Sequence, residues 1–287
     1  MAIILSGVET AKVLDEKSIG EVQSLKEKGR EPSLAVVRLG ARPDDISYEK
    51  GILKKADKLG IDVRIHEVPD EDPIEGENKL KTVIKRLNED DSVDGILLFR
   101  PLPAGYPEDE IINMIRPEKD VDGVTDISMA GVYSGSGKGY PPCTPQACIE
   151  ILDNYKIDLK GKSAVVIGRS LVVGKPLAMM LVKRNATVTI CHTKTENIEE
   201  KCRDAEVLFA AAGRAGVVTA DYMSEGQVIV DVGINFTSEG KLTGDVDFCA
   251  AENIAAAVTP VPRGVGSVTT SVLLSHVINA CKKKTEK

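Results

Sequence analysis

Short runs of β-branched and aliphatic residues alternate along this chain with longer stretches whose apolar positions recur at helical spacing. Over residues 8–28 the apolar side chains Val8, Ala11, Val13, Leu14, Ile19, Val22 and Leu25 predict a helix that stops at Gly29. Residues 33–39, apolar but for Ser33 and Arg38, predict a buried strand, ending at Gly40 and a loop that contains Pro43. A helix over 47–59 closes on Gly60, a carboxyl-cap signal. Residues 61–68 alternate as a strand, 75–88 are helical, and 95–99 predict a strand stopped by Pro101.

Strands separated by helices pair in parallel through right-handed crossovers, so the class is α/β. In such sheets ligands sit beyond the carboxyl ends of the strands. Leu39 and Phe99 mark two such ends on one rim. Tyr48 is expected in the first turn of the helix that follows Leu39, overlooking that rim. Asp122, in Lys119-Asp120-Val121-Asp122-Gly123, follows the next helix and is expected to reach the same place. Each has a plainer reading: a tyrosine at a helix start also serves packing, and an aspartate before glycine also serves a turn.

The second half opens with a predicted strand at 163–167, then Gly168-Arg169-Ser170-Leu171-Val172-Val173-Gly174-Lys175-Pro176 and a helix through Leu181. A strand running into a glycine turn at a helix amino terminus presents backbone N–H groups and the positive helix end to a pyrophosphate. The strict G-x-G-x-x-G pattern fails, because Ser170 and Val173 stand where its second and third glycines belong. The next strand, 187–191, is followed by His192-Thr193-Lys194-Thr195, where an acid for a ribose hydroxyl would ordinarily stand. With Arg169 in the loop, this cationic, hydroxyl-rich spot suits a 2′-phosphate and favours NADP over NAD. Strands at 206–210, 227–232 and 256–259 end in small-residue or proline loops that let a flat cofactor approach the backbone. A helix over 267–282 and a charged, frayed tail over 283–287 complete the chain, and 131–145, rich in Gly, Ser and Pro, is the expected interdomain connection.

Length changes the picture by allowing two domains: 287 residues. Hydrophobic residues at 42% and charged residues at 28% describe a folded chain. A net charge of −7 argues against a phosphate-backbone binder, so no nucleic-acid partner is expected. No apolar run reaches a membrane span, and the first residues lack a basic signal region, so no membrane association is expected and the chain reads as cytoplasmic. Six scattered cysteines and three histidines show no metal-ligand spacing and read as free thiols in a reducing compartment.

Taken together, Pro117-Glu118-Lys119-Asp120-Val121-Asp122-Gly123, Pro142-Cys143-Thr144-Pro145, Val166-Ile167-Gly168-Arg169-Ser170, Val173-Gly174-Lys175-Pro176, Asp231-Val232-Gly233-Ile234-Asn235, Gly244-Asp245-Val246 and Thr259-Pro260-Val261-Pro262 resemble the methylenetetrahydrofolate dehydrogenase/cyclohydrolase family. The resemblance implies two domains flanking a cleft. One is a folate-binding α/β domain over 1–140, completed by the helix 267–287; the other is a Rossmann-like dinucleotide domain over 141–266. It also implies a tetrahydrofolate one-carbon substrate, NADP, and a homodimer. Cofactor contacts fall on Gly168, Arg169, Ser170, Val173, Gly174, Thr193 and Ile234, and substrate contacts on Tyr48, Asp122, Pro262 and Arg263.

The family's active site carries a tyrosine, a lysine four residues later, a glutamine before Pro-Leu-Pro and the aspartate of Asp-Val-Asp-Gly. Here Tyr48 and Asp122 match, but the lysine position is Ile52 and the glutamine position is Phe99. Hydride transfer from the methylene carbon needs positioning and exclusion of water, whereas hydrolysing the methenyl product needs a proton carrier. Along a helix Lys50 faces away from Tyr48, Lys54 points aside, and Lys55 returns to the same face roughly 10 Å further on. The expectation is a dehydrogenase with weak or absent cyclohydrolase activity. The alternatives are a bifunctional enzyme with another water-activating group, and a non-catalytic folate or nucleotide sensor.

Overall fold

The computed structural model describes residues 1–70 and 72–285. The elements run β1 (Ile3–Ile4), α1 (Gly7–Glu27), β2 (Ser33–Leu39), α2 (Pro43–Leu59), β3 (Asp62–Val68), α3 (Pro73–Glu89), β4 (Gly95–Leu98), α4 (Glu108–Ile112) and α5 (Asp126–Ser134). They continue with α6 (Cys143–Asn154), β5 (Ser163–Ile167), α7 (Gly174–Lys183), β6 (Thr187–Cys191), α8 (Ile198–Arg203), β7 (Val207–Ala210) and β8 (Val228–Asp231). Last come β9 (Asn235–Phe236), β10 (Leu242–Thr243), α9 (Phe248–Ile254), β11 (Ala257–Val258) and α10 (Thr269–Thr285). The chain forms two units, one of Leu14–Pro141 with the chain from Thr270 on, the other of Met1–Val13 with Pro142–Thr269.

The first unit holds a parallel sheet in the order β3-β2-β4, with Val36 opposite both Ile65 and Leu97. The central strand β2 is buried at all seven positions, which is why its residues read as one apolar run. One face packs Val37, Leu39, Ile96 and Leu98 against Leu80, Ile84 and Leu87 of α3. The expected start of α2 is corrected by four residues. Pro43 occupies its first turn, where a missing N–H costs nothing, so Tyr48 lies in the second turn and not the first.

The expected frayed tail is also corrected. Helix α10 runs to Thr285, because Lys284 Nζ sits 2.9 Å from Asp94 Oδ1 and Lys283 Nζ lies 4.5 Å above the Tyr140 ring. Lysines there also complement the negative end of the helix. Residues 286 and 287 of that expected tail lie outside the described residues. The predicted connection at 131–145 begins inside α5, whose last turn reaches Ser134.

The second unit is a six-stranded parallel sheet in the order β1-β11-β8-β7-β5-β6. Its edge strand β1 comes from the amino terminus, with Ile3 opposite Ala257 and Ile4 opposite Val258. The first thirteen residues therefore group with this unit, whereas the sequence reading placed them with the chain up to 140. Two residues of strand against a helical pattern beginning at Val8 are too few to show as periodicity. A β9–β10 hairpin, with Leu242 opposite Phe236, replaces part of the expected loop after β8.

Candidate active site

In the first unit the carboxyl ends of β2 and β4 gather several of the expected residues. Buried Arg38, at the end of β2, donates from Nε to Glu49 Oε2 at 2.8 Å and from a terminal nitrogen to Glu67 Oε2 at 2.7 Å. Arg42 donates to Asp45 at 2.8 Å and to the Pro101 carbonyl at 2.7 Å. These bonds seat the first turns of α2 on the rim, and with them Tyr48. Its ring packs on Phe99, centroids 5.4 Å apart, and is 42% exposed, whereas Phe99 is 4% and Ile52 0% exposed. The positions expected to handle water are occupied by two buried apolar side chains.

The lysines of α2 do not refill that place. Lys50 and Lys54 are exposed. Lys55 Nζ lies 3.4 Å from Asp15 Oδ1 and donates to Ser271 Oγ, which in turn donates to Asp15 Oδ1 at 2.9 Å. Lys55 is thus engaged by α1 and α10.

Asp122 Oδ2 lies 4.0 Å from an Arg100 terminal nitrogen, and the other terminal nitrogen lies 3.7 Å from Glu108 Oε1. Beside it the Val121 carbonyl accepts from His276 Nδ1 at 2.8 Å, which places the imidazole proton on that nitrogen. His276 is buried under the Tyr140 ring, and burial pushes its pKa down to about 4. Sequence reasoning missed this support. Residue spacing carries no signal for a histidine 155 positions away.

In the second unit a cavity of about 540 Å³ opens at the carboxyl ends of β5, β6 and β7. Gly168, Arg169, Ser170 and Thr193, all expected cofactor contacts, line it. Gly168 has φ +131°, and an added Cβ would sit 2.2 Å from the Ala211 carbonyl oxygen; one on Gly174 would sit 2.1 Å from the Gly168 carbonyl oxygen. Those two glycines are steric requirements of the turn. Ser170 Oγ accepts from the Val173 and Gly174 N–H groups at 3.1 and 3.4 Å, so the residue in place of the second glycine caps α7. The lining among described residues also includes His192 and Thr195 of the segment after β6, and Arg214 and Tyr222, which sequence reasoning passed over, and it leaves Lys194 outside. Arg214 directly follows the glycine that ends the loop after β7, a signal that could have been used. Ile234, also expected, is 62% exposed in the loop after β8 and does not line the cavity.

Two buried carboxylates fasten the loops of this rim. Asp231 accepts from the N–H groups of Gly233, Asp245 and Val246 at 2.9, 3.0 and 3.0 Å. Asp245 accepts from the N–H groups of Gly213 and Arg214 and from the Asn235 amide at 2.8 to 2.9 Å. Burial raises the Asp231 pKa to about 6, against the pull of its three backbone donors.

Residues 5–122 match the family model for the tetrahydrofolate dehydrogenase/cyclohydrolase catalytic domain, and residues 142–285 match the NAD(P)-binding domain of the same family. The chain belongs to the tetrahydrofolate dehydrogenase/cyclohydrolase family. It is 48% identical over 284 residues to the bifunctional protein FolD of Clostridioides difficile, covering 99% of this chain and 98% of that protein. Among solved structures, the bifunctional FolD of Campylobacter jejuni superposes with a TM-score of 0.95 at 37% identity, over 99% of this chain and 100% of that one. The Trypanosoma brucei enzyme, solved with NADP and an inhibitor, gives a TM-score of 0.91 at 30% identity, over 100% and 99% of the two chains. The family's NAD(P)-binding domain accounts for the β5–α7 turn, whose two sterically required glycines and capping serine fit a dinucleotide phosphate.

Proposed function

We propose that this chain oxidises 5,10-methylenetetrahydrofolate to 5,10-methenyltetrahydrofolate with NADP, and hydrolyses the product weakly or not at all. The observation that carries the reading is the pair of buried apolar side chains, Ile52 and Phe99, beside Tyr48. NADP, when bound, supplies the hydride acceptor. The turn of Gly168, Arg169, Ser170, Val173 and Gly174 would hold its phosphates, with Thr193 beside its ribose. The substrate's two flanking nitrogens stabilise the cation left on the carbon, so no side chain need carry a proton for that step. Tyr48 and Asp122 orient the pterin. Ile52 and Phe99 keep water from the reacting carbon, which favours oxidation and opposes hydrolysis.

The same reading makes the α2/β4 rim the folate side and the β5/β6/β7 cavity the cofactor side, in a cytosolic homodimer whose assembly sedimentation would measure. The enzyme assay follows NADPH formation and methenyl accumulation in one cuvette. NADPH with methenyl that decays no faster than in enzyme-free buffer supports the reading. No NADPH would leave a folate or nucleotide sensor, and enzyme-proportional decay would restore the bifunctional alternative.

A further inference from the structure

Arg214 lines the cofactor cavity from the loop after β7, the strand beside β5 and its phosphate turn. Its backbone is held at both sides of one peptide. Gly213, at φ +66°, turns the chain, and the N–H groups of Gly213 and Arg214 both donate to the buried Asp245 carboxylate, at 2.8 and 2.9 Å. The side chain is not held. Residue 214 is exposed, and among the described residues its guanidinium has no hydrogen-bond or ion-pair partner. A fixed backbone thus presents an unpaired cation to a cavity, where it is available to the ligand and to nothing else in the fold.

The sheet order narrows which part of the ligand it meets. Strand β5 lies between β6 and β7. Arg169 follows β5 and Thr193 follows β6, so the corner that suits a 2′-phosphate lies toward β6. Arg214 follows β7, whose end stands roughly 10 Å from that of β6 at the usual strand spacing. Much of the remaining lining is apolar. Ile198 at the head of α8 and Val217 and Tyr222 after β7 are half-buried there, and no acid lines the cavity among the described residues. The base joined to the ribose that bears the 2′-phosphate is adenine, which is flat and uncharged. It therefore needs an apolar wall within one ribose of that corner, and a guanidinium plane suits its open face.

We propose that Arg214 stacks on the adenine ring of NADP and closes a slot whose other wall is Ile198, Val217 and Tyr222; this rests on the NADP reading of the cavity. Arg169 and the turn serve the phosphates, and Arg214 serves the base.

The test compares 2′,5′-ADP with ribose 2,5-bisphosphate, which carries the same two phosphates and no base. Each displaces NADPH from the protein, followed by the fluorescence of the bound dinucleotide, which reads affinities into the millimolar range. Arg214→Ala should weaken 2′,5′-ADP about tenfold and leave ribose bisphosphate unchanged. Arg214→Lys keeps the charge without the plane and should recover only part of the loss. Arg169→Ala, as the phosphate control, should weaken both compounds. Thermal midpoints should stay at the wild-type value, because any residue but proline supplies the N–H that Asp245 accepts. Equal weakening of both compounds by Arg214→Ala would make Arg214 a phosphate ligand and overturn the stack, and so would no weakening of either. A wild type that binds neither NADPH nor 2′,5′-ADP would instead overturn the NADP reading, and the stack with it.

Discussion

The rings of Tyr48 and Phe99 pack with centroids 5.4 Å apart and planes tilted by 34°, one from the second turn of α2 and the other from the residue that follows β4. Ile52, one turn beyond Tyr48, is fully buried beside the same rim. An ammonium placed there alone would be desolvated next to an aromatic ring, and its pKa would fall. Ile52→Lys by itself should therefore restore little methenyl hydrolysis. The double variant Ile52→Lys with Phe99→Gln supplies an amide to orient the amine, and should restore more than the two single changes combined. Methenyl decay read for all four proteins decides it; strict additivity would show that the two positions act independently.

The cofactor cavity carries its own expectation. Arg169 lines it, and no acid follows β6. Arg169→Ala should raise the KM for NADP by roughly tenfold or more, the worth of a hydrogen bond to a charged group, and leave NAD nearly unaffected. If the wild type prefers NAD at matched concentrations, the 2′-phosphate argument is wrong.

Burial governs how much of this was legible. Strands β2 and β5 begin and end where the sequence places them, because inner parallel strands covered on both faces are largely apolar, whereas the edge strand β6 shows as an alternation of exposed Thr187 and Thr189 with half-buried Val188 and Ile190. Strands β1, β9 and β10 have two residues each, too short for any period to register. The start of α2 was misplaced because a proline ordinarily marks a loop, and only the fold shows Pro43 in the first helical turn. The contacts around the candidate site were the least legible. Arg100 with Asp122, Lys55 with Asp15 and Ser271, and His276 with Val121 join residues that the chain separates by tens to hundreds of positions. Local pattern carries no trace of such pairs.

Asp122 offers only acceptors, which suits the amino and ring N–H groups of a pterin. Asp122→Ala should raise the KM for methylenetetrahydrofolate by about tenfold or more while leaving NADP binding intact. Arg100→Ala removes a charge 4.0 Å from that carboxylate and should weaken folate less than the aspartate change does. Equal loss of both ligands in the Asp122 variant would indicate a folding defect in place of a lost contact.

His276 yields a prediction in pH. Burial is the main cause of its low pKa of about 4, and Lys283 lowers it further; the Val121 carbonyl and Asp120 pull the other way without prevailing. In the unfolded chain the imidazole titrates near its ordinary 6.5. Between these values the unfolded state holds the extra proton, so stability rises with pH across this window. Its contribution is complete above about pH 6.5 and is lost as pH falls toward 4. His276→Asn keeps an N–H donor for the Val121 carbonyl and removes the titration. From pH 7.5 to pH 5 the wild type should lose roughly 2 kcal/mol more unfolding free energy than the variant, by the linkage of a single group over that interval. Carboxylates titrate in both proteins and cancel in the difference. Urea unfolding of the two at those pH values measures it, and a wild-type-minus-variant difference independent of pH would show that His276 is not held neutral in the fold.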